Sequence, residues 1–334
     1  MRFLGLIFRI LVSAALLYWV LSGVDLGRLG RMVLGTNPAP LGFAFLLYFV
    51  GVIAVGTARW MLLLKSQGVQ TPFRYLLNSY MVATFFNNVL PTNIGGDVFR
   101  ITDAARYTES KTLSSAIVFV DRLIGFAGLF AVAFGAVAFG GEVVRSLPSM
   151  EWLWLGLAAV TAAVMVVLVV PEIVEWSLKP LHRLNSEWVT MRVGVVTSAL
   201  FRFRRQTPAL LKALLVSILI QGSIVLFYYL IAHAMGIALP LDYCFLIIPL
   251  VLVVQLFPSI NGFGIRESAF VLFFTAIGLS PEQGISLSFV STGVIIVLSL
   301  VGGIIYAARS RKNRKNSLQS EVRAVDREVD VNAR

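Results

Sequence analysis

Cysteine is almost missing from this 334-residue chain: Cys244 stands alone, inside an apolar run. One thiol builds neither a disulfide framework nor a cysteine-based metal site, and its surroundings suit a small buried hydrophobe. Histidine is nearly as scarce. His182 and His233 are the two present, and no H-E-x-x-H or other metal-ligand spacing occurs. There is no G-x-S-x-G elbow and no Walker loop. The stretch "GFGIRE" at 262–267 lacks the third glycine, the preceding strand and the downstream acid of a dinucleotide fingerprint. Charge is the largest shortfall: 13% of the residues carry it, where a soluble domain has roughly a quarter. These gaps lead to the expectation of a protein that is not an enzyme and holds no cofactor and no metal.

What fills the chain instead is apolar surface, at 58% of residues. Windows such as "LGFAFLLYFVGVIAVG" and "WLWLGLAAVTAAVMVVLVV" are long enough to cross about 30 Å of hydrocarbon. The expected fold class is therefore an all-α polytopic membrane protein. Six full spans are expected near 3–21, 41–64, 112–139, 152–170, 209–233 and 284–308. The first is read as a retained helix, because its apolar run is longer than a signal-peptide core. Shorter apolar runs at 75–90, 243–257 and 268–279 are too brief to cross comfortably at about 1.5 Å per residue. They read as limbs of two re-entrant or broken helical hairpins, whose irregular backbone needs protein or water around it.

The net charge is +11, yet the basic residues flank apolar spans rather than forming a nucleic-acid surface, so no nucleic-acid partner is expected. The linker at 171–208 and the start of the tail, "ARSRKNRKN", are rich in Lys and Arg. The positive-inside bias places both in the cytoplasm, with both termini inside and the chain in the plasma (inner) membrane. The linker alternates aromatics with arginines and reads as an amphipathic surface segment or a solvated loop. The expected organisation is a transmembrane domain over 1–308 and a mixed-charge, disordered cytoplasmic tail over 309–334.

Two polar stretches stand out against this background. "VLPTNIGGDVFR" (89–100) and "LFPSINGFGIRE" (256–267) run in parallel: a proline (Pro91, Pro258), a hydroxyl residue (Thr92, Ser259) and an asparagine (Asn93, Asn261). Two glycines follow (Gly95 and Gly96; Gly262 and Gly264), then an arginine with an acid near it (Arg100 with Asp97; Arg266 with Glu267). The prolines end helices because they cannot donate a backbone hydrogen bond. The glycines permit tight turns and close approach. A helix restarting beyond them presents free N–H groups to an anion, and arginine adds a fork suited to phosphate. With opposite entry directions the two stretches form an inverted repeat whose tips meet near the midplane, the arrangement that builds substrate sites in transporters. Asp121 and Arg122 lie deep in the third span, where charges normally face the bundle and pair. Arg59 lies near enough to a span end to be expected to snorkel.

The order "N-x-L-P-T-x-x-G-G-D-x-x-R", then "D-R", then "P-x-x-x-G-x-G-x-R-E" resembles the lysylphosphatidylglycerol synthase transmembrane-region family over nearly all of the chain up to about residue 308. In that family the membrane part is regarded as flippase-like. By position the resemblance marks Asn88, Pro91, Gly95, Gly96, Asp97, Arg100, Asp121, Arg122, Pro258, Gly262, Gly264, Arg266 and Glu267. The complete synthases also carry a soluble aminoacyl-transferase domain, which the tail of 309–334 does not resemble, so aminoacyl transfer is not carried over. The resulting expectation is a lipid translocator moving a phospholipid or polyprenyl-type lipid between leaflets. Its substrate-binding residues would be these charged and glycine positions with Asn88, Thr92, Asn93, Ser259 and Asn261, while Pro91 and Pro258 break the helices. Its partners would be an anionic or head-group-modified membrane lipid and a lipid-modifying enzyme encoded nearby. Two other readings stand beside it: a membrane-embedded transferase acting on a lipid-linked sugar, and a non-catalytic subunit of a lipid-modifying complex.

Overall fold

The computed structural model describes residues 26–90, 95–139, 201–203, 206–255 and 262–332, with Tyr18 and isolated positions between 156 and 166. Among the described residues the only regular structure is helical. Apart from those isolated positions, the expected spans at 3–21 and 152–170 lie outside them, as do the linker over 171–200 and the motif positions Pro91, Thr92, Asn93, Pro258, Ser259 and Asn261.

Helix α1 (Leu26–Leu34) leads into α2 (Pro38–Leu47). Asn37 caps α2 by accepting the Ala39 N–H at 3.0 Å, and Pro38 occupies the first turn, where its missing donor costs nothing. A π-helical segment (Tyr48–Ala54) joins α2 to α3 (Val55–Ser66) without a break. The three pieces make one 29-residue span, Pro38–Ser66. There follow α4 (Phe73–Val89), α5 (Gly95–Thr108) and the long α6 (Lys111–Phe139). After the undescribed stretch come α7 (Thr207–Ala234), α8 (Leu241–Val254), α9 (Ile265–Ala276) and α10 (Pro281–Asn332).

Four helical stretches among the described residues are long and apolar enough to cross a membrane: Pro38–Ser66, Lys111–Ala138, Thr207–Ala234 and Pro281–Ser310. They match the spans expected near 41–64, 112–139, 209–233 and 284–308. The short runs also appear as short helices. Residues 75–90 fall in α4, with 17 residues, and 243–257 in α8, with 14. The run at 268–279 falls in α9, with 12. At about 1.5 Å per residue these reach roughly 18–26 Å.

The packing has a regular plan. α6 lies against α7, α5 and α8, while α10 lies against α9 and α4. α7 also covers α2 and α3. The largest apolar cluster joins α7, α8, α9 and α10 around Phe227, Phe270 and Phe274. A second joins α3, α4, α6 and α7 around Trp60, Leu63 and Ile117. Contacts between the helices are tight where residues are small. A Cβ on Gly302 of α10 would stand 2.0 Å from the Met81 carbonyl oxygen of α4, so backbone meets backbone there. Beside that crossing, Phe86 and Phe99 stack at 3.9 Å, and Tyr306 meets both edge-on.

Candidate functional site

The π segment and α3 form one wall of a cavity of about 430 Å³, which α4, α5, α6 and α7 enclose further. Its polar lining comes from side chains far apart in sequence. Asp121 stands 10 residues into α6, about 15 Å along it, and is 1% exposed. Each of its oxygens accepts from a different arginine. Arg59 Nε donates to Oδ1 at 2.8 Å, and Arg100 Nη2 donates to Oδ2 at 2.8 Å. Arg59 Nη1 also donates to Ser217 of α7, whose hydroxyl in turn donates to the Ile124 carbonyl at 3.0 Å. Arg100 lies over the Trp60 ring at 4.5 Å and the Tyr80 ring at 5.0 Å. Its Nε has no hydrogen-bond partner among the described residues.

Asp97, in the first turn of α5, pairs with Arg122 of α6 through Arg122 Nε. Its other oxygen is 3.8 Å from Arg100 Nη1, a weaker link within the helix. Asp121 and Arg122, adjacent in sequence, therefore serve different partners. Together Arg59, Asp121, Arg100, Asp97 and Arg122 form one chain of alternating charge. Such a cluster persists in low dielectric because every charge in it has an opposite charge within reach, although the arginines outnumber the carboxylates three to two. Arg59 does not snorkel. It is 7% exposed and turned inward, since the carboxylate on α6 offers more than the distant surface does.

Arg266 and Glu267 open α9. Arg266 Nη2 donates to Glu267 Oε1 at 2.8 Å, and Ser288 of α10 accepts from Arg266 Nε at 2.6 Å while donating to the same Oε1 at 2.5 Å. Glu267 Oε2 accepts the Gly264 N–H at 2.7 Å, satisfying a helix-start donor. Gly262 and Gly264 hold φ values of +78° and +83°, in the left-handed region that side-chain-bearing residues rarely adopt. Arg266 faces a second cavity of about 180 Å³. The two cavities share Tyr48, Asn88, Ile224, Leu252, Gln255 and Ile295 as walls. Arg266 and the five-charge cluster thus border adjoining spaces.

Of the expected site positions, Asn88, Asp97, Arg100, Asp121 and Arg122 line the larger cavity, while Asn88 and Arg266 line the smaller. Glu267 is fully buried behind Arg266. The glycines belong to the packing. A Cβ on Gly96 would stand 2.2 Å from the Ala83 carbonyl oxygen, and its N–H donates to Asn87 Oδ1 at 2.9 Å. Gly95 likewise sits against Leu90, and Gly262 against Gln255. Four participants were not singled out from the sequence: Asn87, Ser217, Gln255 and Ser288. Asn87 and Gln255 each stand just before a motif already in view, but nothing local to Ser217 and Ser288 marks them.

No solved structure is detectably similar to this chain. A UPF0104 membrane protein of Methanocaldococcus jannaschii is 25% identical over 160 residues, which are 46% of this chain and 47% of that relative. The match thus spans about half the length of that curated relative. Residues 6–303 match the family described as the lysylphosphatidylglycerol synthase TM region. With its membrane-length helices and buried charge cluster, the chain belongs to the lysylphosphatidylglycerol synthase TM region family.

Proposed function

We propose that this protein moves a lipid head group between membrane leaflets, without covalent chemistry, through the two adjoining cavities. The observation that carries this is the five-charge cluster in one cavity and Arg266 in the next, the two cavities sharing walls that mix polar and apolar side chains. Unpaired charge at that depth is costly, and intramembrane ionisable residues typically mark a substrate path. The family's lipid-linked name agrees with this reading.

The helix plan supports an inverted repeat. Long, short, short, long describes α2–α3, α4, α5 and α6, and the same order describes α7, α8, α9 and α10. The contacts correspond as well: α6 packs on α8 as α10 packs on α4, and α5 on α6 as α9 on α10. Each half crosses the membrane an even number of times, whether its short helices are re-entrant or full spans. One crossing within 140–206, such as the apolar run at 152–170, inverts the second half relative to the first. In this scheme the protein sits in the plasma membrane with both termini cytoplasmic, beside an enzyme that supplies the modified lipid.

The test is translocation of head-group-labelled lipid in reconstituted vesicles. Arg122→Gln and Arg266→Gln should each slow it by at least about tenfold, or 1.4 kcal/mol of barrier, while size-exclusion profiles stay unchanged. Wild-type rates in both variants would overturn the reading.

A further inference from the structure

Among the described residues the charges bordering the cavities can be counted, and that count selects a ligand. In the larger cavity three arginines, Arg59, Arg100 and Arg122, face two aspartates, Asp97 and Asp121, leaving one positive charge in excess. In the smaller cavity Glu267 balances Arg266. An excess charge in low dielectric is stabilised most by one opposite charge. A zwitterion leaves the excess in place, a dianion overshoots it, and a phosphodiester carrying two ammonium groups doubles it.

The cluster also divides into a fixed part and an exchangeable part. Asp121 is 1% exposed, with both oxygens engaged at 2.8 Å. Asp97 has one oxygen on Arg122 and the other only 3.8 Å from Arg100. The Arg122 side chain is 32% exposed, against 8% for Arg59 and 7% for Arg100. Arg122 is thus the guanidinium a phosphate can reach, and Asp97 occupies the place that phosphate would take. The walls of the larger cavity also carry Asn87, Asn88, Gln221, Gln255 and Tyr48, and those of the smaller carry Thr292. Each of these neutral groups has both donor and acceptor capacity, as hydroxyl groups of a ligand require.

We infer that the adjoining cavities take one monoanionic phosphodiester head group bearing neutral hydroxyls, which lands on Arg122 by displacing Asp97, its resident counter-ion. This rests on the translocator reading and names its substrate class. The shared chemistry is the phosphodiester, whether diacylglycerol or a prenol anchors it.

The test is native mass spectrometry of the purified full chain against an equimolar lipid mixture. The probes are dioleoyl phosphatidylglycerol, its lysyl ester, dioleoyl phosphatidylcholine, dioleoyl phosphatidic acid and a hexosyl phosphoprenol. A monoanionic phosphodiester should be retained about tenfold over the zwitterion, the lysyl ester and the phosphomonoester. Either anchor ranking first supports the inference and identifies the carrier. The order should then follow the charge of the site. Arg122→Gln should shift preference towards phosphatidylcholine, and Asp97→Asn towards phosphatidic acid. Asp103→Asn, outside both cavities, should leave the order unchanged. Should one variant fail to fold, the other carries the test, because the two shifts are opposite in sign. Equal retention of all probes, or an order that neither variant alters, overturns the inference. Charge-ordered binding without translocation in vesicles would instead sink the translocator reading and leave the ligand class standing. Equal translocation of all five lipids would keep that reading and overturn this one.

Discussion

Asp121 carries two guanidiniums on one carboxylate, and its energetics are those of a buried ion cluster. Removing its charge strands Arg59 and Arg100 together in low dielectric. Asp121→Asn should therefore cost about 3–5 kcal/mol, read as a fall in thermal midpoint in detergent. Replacing all three residues by apolar ones, Arg59→Met, Asp121→Leu and Arg100→Met, should restore much of that stability while translocation stays lost. Recovery of transport in the triple variant would show that the charges serve only packing. Asp121 and Arg122 were legible as deep, costly charges from their position in an apolar run. Arg59 was not, because closeness to a helix end is visible in sequence and a partner 62 positions away is not. The pairing Asp97–Arg122 was hidden for the same reason: the nearer Arg100, three residues on, is the partner that helix spacing suggests.

Among the elements, glycine positions that look alike in sequence differ once neighbours are known. Gly302 touches the α4 backbone, whereas a Cβ on Gly135 of α6 would meet nothing within 4 Å. Gly302→Ala should therefore push α10 from α4 and lower stability by about 1–3 kcal/mol. Gly135→Ala should be neutral or stabilising by up to about 1 kcal/mol, since it removes a glycine from a helix interior. Thermal unfolding of the two variants side by side checks the contrast, and equal effects would contradict the contact. The lengths of the helices were readable because hydropathy and proline report them directly: Pro38, Pro208 and Pro281 each sit in a first turn. The π segment Tyr48–Ala54 was not, since no proline or polar residue marks it. The segment packs closely on another helix: a Cβ on Gly51 would stand 2.6 Å from Ser223 of α7.

For the molecule as a whole, the plan of two similar halves predicts a topology. If the halves are inverted, the turn after α3 and the turn after α7 face opposite sides of the membrane. Gln70 and Ala238 are exposed in those turns, and Cys244 is the native cysteine to remove first. In a Cys244→Ala background, Gln70→Cys should react with an impermeant maleimide only from the cytoplasmic side, and Ala238→Cys only from outside. Labelling of both from one side would exclude the inverted arrangement. The likeness of the motifs suggested such halves before any contact was known. The correspondence of α6 on α8 with α10 on α4 could only come from the packing. That correspondence is not exact in its filling. Ala133, Val137, Leu246 and Leu250 put side chains between α6 and α8, while Gly302 puts none between α10 and the Met81 carbonyl. The α4–α10 seam is therefore an end-stop. Its helices have no closer separation left to adopt at Gly302, so that pair can slide or part but cannot close further.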